Sequence, residues 1–130
     1  MPANATNTKV VYPELSYKIV GVLFSVHNSL GRFCTEKQYG DAVQNALSAE
    51  GLAFEREKLL VVQSENYRGE NRADFVVEGK IVVELKAKPA LERKDYDQVQ
   101  RYLQSGKYKL GILVNFSGKY LHPKRILRRG

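Results

Sequence analysis

The stretch Arg72-Ala73-Asp74-Phe75-Val76-Val77-Glu78-Gly79-Lys80-Ile81-Val82-Val83-Glu84-Leu85-Lys86 holds two apolar runs joined by Glu78-Gly79-Lys80. A tight Gly-containing connection between two β-branched runs signals a β-hairpin, which predicts strands over Arg72–Glu78 and Ile81–Ala87. Side chains on a strand alternate faces, so Glu84 and Lys86 share one face while Leu85 enters the core. Asp74 lies as far before the bend at Gly79 as Glu84 lies after it, so the two are near cross-strand partners. Facing carboxylates repel, and charge within a mostly apolar hairpin needs a reason. A divalent cation or Lys86 supplies one.

Outward from this hairpin the pattern is helical on one side and mixed on the other. Ile19, Leu23, Val26 and Leu30 recur at helical spacing after Pro13 and Glu14, with Gly31 as the stop. A second helix is expected from about Thr35, a capping residue, to Glu50, with Ala42, Val43, Ala46 and Leu47 as its apolar stripe and Gly51 after it. Phe54–Gln63 reads as a strand and Asn66–Glu70 as a turn. Beyond Pro89, Leu91–Gln104 is helical, with Val99, Tyr102 and Leu103 inward and Gly106 past its end. Lys109–Phe116 reads as a buried strand and Arg125–Leu127 as a short last one. The order α-α-β-β-β-α-β-β predicts an α/β fold, a mixed sheet flanked by helices. Residues 1–11 read as a flexible leader, and 12–130 as a single domain.

Asp74 and Glu84 offer the hard oxygen ligands that Mg²⁺ or Mn²⁺ prefers, with the Leu85 backbone carbonyl as a natural third. A metal so held lowers the pKa of a bound water and offsets charge growing on a phosphate. Lys86 can orient that water or act as a fixed cation in the transition state. An ordinary salt-bridge cluster on a solvated sheet face would use the same three residues, and the spacing alone does not separate the two. Gln98 and Tyr102, four apart on one helix face, follow the lysine closely enough for their helix to fold back over the strands. Gln98 is then placed to hold a water or phosphate oxygen with Tyr102 below it, although a surface Gln and a core Tyr fit the pattern too. Glu36 and Tyr39, three apart, open the second helix, where the helix dipole alone favours a glutamate.

The chain has 130 residues and a formal charge of +7, unevenly distributed. Residues 1–85 hold nine Lys/Arg against eleven Asp/Glu, whereas residues 86–130 hold twelve against three. A basic half suits a polyanion, nucleic acid above all. Lys88, Arg101, Lys119, Lys124, Arg125, Arg128 and Arg129 are the candidate backbone contacts, of the kind that confer affinity without sequence specificity. A solvated basic terminus is the plainer alternative. One cysteine, Cys34, excludes an internal disulfide and has no partner for zinc or a catalytic dyad. His27, near the apolar stripe of the first helix, reads as a packed or surface histidine rather than a ligand. No run is long enough to span a bilayer, and residues 1–9 lack a signal-peptide core, so the expected compartment is the cytoplasm.

These elements resemble those of the GxxExxY proteins, a bacterial group within the PD-(D/E)xK nuclease superfamily. The resemblance runs from about Glu14 to Leu127. Glu14–Gly21 is similar to the opening helix, Glu36-Lys37-Gln38-Tyr39 to the ExxY element, and Arg72–Phe75 to the strand bearing the first acid. Glu84–Ala87 resembles the ExK element, Gln98–Leu103 the QxxxY element of RecB-type nucleases, and Gly111–Phe116 the late strand. One departure is Phe33, where the family name has glycine, so the loop there must avoid a glycine-only conformation. The resemblance implies a restriction-endonuclease-like core in which Asp74 and Glu84 bind Mg²⁺ (or Mn²⁺), Glu36 acts through water, Lys86 is the catalytic lysine, and Gln98 supports the site with Tyr102 and Tyr39. The implied reaction is phosphodiester hydrolysis leaving a 5′-phosphate, on DNA more readily than RNA, with a homodimer as one way to engage both strands. A module on the same fold that binds nucleic acid or a partner without cutting is the alternative.

Overall fold

The structure is a computed structural model that describes residues 11–64 and 67–130. All but Val11 of the expected leader lies outside the described residues. Helix α1, Pro13–Leu30, starts on a proline whose missing N–H costs a first turn nothing. It buries Ile19, Val22, Leu23 and Val26 along one stripe. Gly31 ends it at φ 77°, its N–H donating to the His27 carbonyl at 2.8 Å. Helix α2, Glu36–Ala49, is opened by a capping box in which Gln38 N–H donates to Thr35 Oγ1 and Thr35 N–H to Gln38 Oε1.

Five strands follow in the sheet order β1-β2-β3-β4-β5. They are β1 Phe54–Ser64, β2 Tyr67–Val77, β3 Ile81–Lys86, β4 Leu110–Asn115 and β5 Lys124–Leu127, with α3, Arg93–Gly106, between β3 and β4. Only β3 and β4 pair in parallel, which the intervening helix makes possible. Both strands are almost wholly buried, as expected where helices cover both faces. On one face Phe75, Val77, Ile81, Val83 and Leu85 pack with α1 and α2. On the other, Val76, Val82 and Leu113 pack with Val99, Tyr102 and Leu103 of α3. Asp74 has the strand parity of Val76, and Glu84 and Lys86 that of Val82, so all three emerge on the α3 side. Gly111 lets α3 lie this close, because a Cβ there would meet Val99 Cγ1 at 2.7 Å.

The β2–β3 connection is the expected tight turn. Glu78 and Gly79 both take positive φ, 54° and 64°, as a type I′ turn demands. The non-glycine residue is held there by Ala53, which accepts the Glu78 N–H and donates its own N–H to Glu78 Oε2. Two elements depart from their expected bounds by more than one residue. Tyr67–Glu70, read as part of a turn, belongs to β2, because the long β1–β2 ladder continues through it; Asn66 lies outside the described residues. Helix α3 starts at Arg93, since Asp95 Oδ2 accepts the Glu92 N–H at 2.8 Å and caps it there. It runs on through Gly106 and ends at Lys107, which takes the left-handed cap conformation at φ 57°.

Candidate active site

The β2–β3 ladder registers Val77 with Ile81, Val76 with Val82 and Phe75 with Val83, and stops there. At the next level Asp74 faces Glu84, and the two carboxylates replace the ladder. Asp74 N–H donates to Glu84 Oε1 at 3.0 Å, and Leu85 N–H donates to Asp74 Oδ2 at 2.7 Å. The N–H and C=O of one strand residue lie on the same edge, so the Leu85 carbonyl faces this gap too. On the other side of β2 the ladder skips the pair Glu57–Asp74, and Glu57 stands at φ 52°. A left-handed glutamate in a strand costs on the order of 1–2 kcal/mol, and it lies opposite the acid expected to bind metal. Asp74 thus occupies a break in both of its ladders.

Glu84 is 3% exposed, and burial pushes its carboxyl well above the usual range, with repulsion from Asp74 adding to the effect. Asp74 is raised as well, again chiefly by burial, against the lowering effect of the Leu85 N–H. Tyr102, fully buried, donates its hydroxyl to the Arg72 carbonyl at 3.2 Å. Its own ionisation is pushed up by burial and by the neighbouring Glu84 and Asp74. It ties α3 to the backbone of β2.

Lys86 is held from three directions. Its Nζ donates to Gln98 Oε1 at 2.9 Å and lies 3.7 Å from Glu84 Oε2 and 4.0 Å from Asp95 Oδ1. Asp95 and Gln98 are one turn apart on α3, so the helix aims the ammonium. Asp95, only 4% exposed, escaped the sequence reading. Its signal was its place three residues before Gln98 on the same helix face. Burial works to raise the Asp95 carboxyl, but the Glu92 N–H, Lys88 and Lys86 together bring it below the ordinary value. Lys88, a candidate nucleic-acid contact, pairs with Asp95 at 2.9 Å and Glu92 at 2.8 Å.

Glu36, exposed in the first turn of α2, lines one cleft with Asp74. Partial burial raises its carboxyl; Asp74 and Asp95 push the same way, and Lys86 and Lys88 oppose them. Tyr39, with no exposed surface, sets the approach to that helix. Its hydroxyl donates to the Gly31 carbonyl at 2.5 Å and accepts the Cys34 N–H, and its ring stacks 4.3 Å from Phe116. Phe33 is 88% exposed and has no positive φ, so the loop avoids the glycine-only conformation as expected. A cleft of about 280 Å³ opens here, lined by Glu36, Arg56, Glu57, Asp74, Phe75 and Leu85 among others. Arg56 is fixed in its wall by Asp41 at 2.7 Å and Gln44 at 2.8 Å. Neither Arg56 nor Glu57 carries a sequence signal, since only the folded sheet brings them to the cleft.

Arg101, Lys119, Lys124, Arg128 and Arg129 are exposed on the α3–β5 side. Arg125 is also exposed, but its guanidinium is tied to Ser16 Oγ and the Val11 carbonyl. Gln100 and Gln104 of α3 hold the C-terminal backbone through the Leu127 and Arg129 carbonyls. His27 is packed, with Nε2–H donating to the Gly118 carbonyl at 2.9 Å. Cys34 Sγ lies 3.7 Å from the Leu30 carbonyl.

The donor set fits a hard divalent cation. Glu84 is buried and Asp74 half-buried, the two face each other, and Asp74 raises the proton affinity of Glu84, a conflict that a cation resolves. Among the described residues no three His, Cys, Asp or Glu side chains converge to hold an ion unaided. Two carboxylates and one carbonyl, completed by water and phosphate oxygens, suit Mg²⁺, which keeps several waters.

A family model described as the PD-(D/E)XK nuclease superfamily matches residues 13–129. No protein of curated function matches the chain. Among solved structures, the crystal structure of SSO0001 is similar at 23% identity and a TM-score of 0.55 over 70% of this chain. That likeness concerns the fold alone, and this chain spans about half, 49%, of SSO0001.

Proposed function

The chain belongs to the PD-(D/E)XK nuclease superfamily, and on that premise we propose that it is a Mg²⁺- or Mn²⁺-dependent nuclease that hydrolyses phosphodiester bonds, DNA being its preferred substrate. The observation that carries this reading is the Asp74–Glu84 pair, of which Asp74 lines the cleft, with the Lys86 ammonium held beside it by Gln98.

Asp74, Glu84 and the Leu85 carbonyl would hold the cation, and Glu36 would act through water. Bound there, a divalent ion supplies a water of lowered pKa and positive charge against the phosphate. Lys86 presents a fixed positive charge to the reacting phosphate and to the attacking water. Gln98 and Asp95 prevent it from swinging out to solvent or collapsing onto Glu84, which preorganises that charge before substrate arrives. Arg56 offers a second cation at the cleft wall. The assignment to the GxxExxY group is part of this proposal. It is supported by Tyr39, which ties the loop at Gly31, and by Glu36, which lines one cleft with Asp74.

A cleavage panel over single-stranded, duplex and branched DNA and over RNA, with and without Mg²⁺ or Mn²⁺, tests the proposal. Metal-dependent hydrolysis that disappears in Asp74→Ala, Glu84→Ala and Lys86→Ala is expected. Salt-sensitive binding with no hydrolysis under any divalent metal would mean a nucleic-acid-binding module instead.

A further inference from the structure

We propose that the chain carries a second pocket, beside the carboxylate centre, that takes the base of an unpaired nucleotide; this rests on the nucleic-acid reading above. The pocket, about 220 Å³, is lined by Tyr96, Tyr120, His122, Lys124, Leu91 and Asn115. It lies where the start of α3 meets the loop between β4 and β5. None of the sequence motifs points to it.

Its chemistry selects a planar, anionic chain. Tyr120 is 68% exposed, a large aromatic ring left in water at a concave site. Tyr96 is half-buried and anchored against the α3 core cluster. Flat aromatic faces accept any base, and the tyrosine hydroxyls, His122 and Asn115 provide donors and acceptors for its edge. Lys124 lines the pocket, and Lys119 Nζ sits 5.6 Å from the Tyr120 ring centroid. A free phosphate would gain nothing from two aromatic walls, and an apolar peptide nothing from the lysines. A nucleotide uses both.

The loop that presents Tyr120 and His122 is already set. The Gly118 carbonyl accepts from His27 at 2.9 Å, and a Cβ on Gly118 would meet the Tyr120 carbonyl oxygen at 2.9 Å. Asn115 Oδ1 accepts the N–H groups of Ser117 at 3.3 Å and Lys88 at 3.1 Å, and Asn115 Nδ2 donates to the Lys88 carbonyl at 2.8 Å. A pocket fixed in this way loses little entropy on binding. The same contacts connect it to the centre. Asn115 holds the backbone of Lys88, two residues beyond Lys86, and Asp95, adjacent to Tyr96, holds the Lys88 ammonium. A strand with its phosphate at Asp74 and Glu84 is led past Lys88 to the two tyrosines. A base stacked and paired within a duplex is not free to enter, so the substrate class is a single strand or a frayed end.

The test is binding in EDTA, where no cleavage interferes. The probes are short single-stranded DNA and RNA carrying 2-aminopurine, and a blunt DNA duplex; the proteins are wild type, Tyr120→Ala, Tyr120→Phe and Lys124→Gln. Quenching of the 2-aminopurine by wild type is expected with at least one of the single strands. Tyr120→Ala should weaken that binding about tenfold and abolish the quench. Tyr120→Phe, which keeps the ring, should preserve both, and duplex affinity should not change. Lys124→Gln should flatten the salt dependence. Because Tyr120 is so exposed, folding of its variants is expected to be intact, and circular dichroism checks it. Wild-type affinity and quenching in Tyr120→Ala overturn the pocket, even if the chain proves to be a nuclease. Loss of both in that variant supports the pocket, even if no substrate is ever cut.

Discussion

Asp74 and Glu84 are joined crosswise: Glu84 Oε1 accepts the N–H of Asp74, and Asp74 Oδ2 accepts the N–H of Leu85, the residue next to Glu84. Each carboxylate thus completes the backbone of the other's strand at the level where the ladder fails. One oxygen of each is committed to the fold. The second oxygen of Glu84, Oε2, lies 3.7 Å from Lys86 Nζ, and the pair cannot move apart without opening the sheet.

That arrangement gives the metal-free protein an unusual pH dependence. Burial raises both carboxyls, and repulsion from Asp74 adds to the effect at Glu84. Between the ordinary carboxylate range and the raised values, the folded chain therefore binds more protons than the unfolded one. Stability in EDTA should rise as pH falls through that window and be lost as pH rises through it. Thermal melts from pH 8 to 5 should show Tm climbing toward acid, with Glu84→Gln flattening the trend. A wild-type Tm independent of pH over that range, or falling toward acid, would falsify this account of the pair.

Divalent metal should act in the opposite direction. Mg²⁺ or Mn²⁺ stabilises only the folded chain, by about 2.7 kcal/mol at a hundredfold excess over its dissociation constant. It must displace protons from both carboxyls, so the gain should be larger at pH 8 than at pH 6. Differential scanning calorimetry with and without metal reads this directly. Equal gains in wild type and Asp74→Ala would place the ion elsewhere.

Lys86→Ala should lower kcat by about two to three orders of magnitude, the usual cost of removing a preorganised charge at the reacting group. Gln98→Ala leaves the lysine in place and removes only its 2.9 Å hydrogen bond. About a tenfold loss in kcat with a small change in KM is expected, and steady-state kinetics on one substrate separates the two variants. Identical losses would show that Gln98 touches substrate or metal itself.

Asp95→Asn tests the helix that aims the lysine. The carboxylate caps α3 at the Glu92 N–H, pairs with Lys88 and faces Lys86. Loss of a buried charged acceptor should cost about 1–3 kcal/mol of stability, read by urea unfolding. An unchanged midpoint would mean that the capping amide and water replace the carboxylate fully.

Glu57→Gly should act the other way. The residue is left-handed at φ 52° and adds negative charge opposite Asp74. Glycine relieves the backbone cost, with a gain of about 1 kcal/mol in metal-free stability. Chemical denaturation of the metal-free protein checks it. Lower stability would mean that the strand needs the Glu57 side chain.

The hairpin, the helices and the Asp74–Glu84–Lys86 face were legible because they depend on local periodicity. Alternation in β3 and equal distance from Gly79 determine which side chains share a face, whatever surrounds them. Gln98 and Tyr102 were legible for the same reason, four apart on one helix. The length of β2 was not, because Tyr67–Glu70 have turn-like composition and only the ladder to β1 makes them strand. The pairs of Lys88 with Asp95 and Glu92 were not legible either, because net charge cannot say which cations already have partners.

By itself the sequence determined the α/β element order, the facing acidic pair and the lysine beside it, since short-range periodicity is a property of the chain alone. The tertiary structure decided what surrounds them: Asp95 under Lys86, Glu57 strained opposite Asp74, Arg56 on the cleft wall, and the Tyr96–Tyr120 pocket. These residues lie far apart in sequence and meet only because β1 and β4 flank β2 and β3 in one sheet and α3 closes over it. Such meetings depend on packing against distant partners, and no local pattern encodes them.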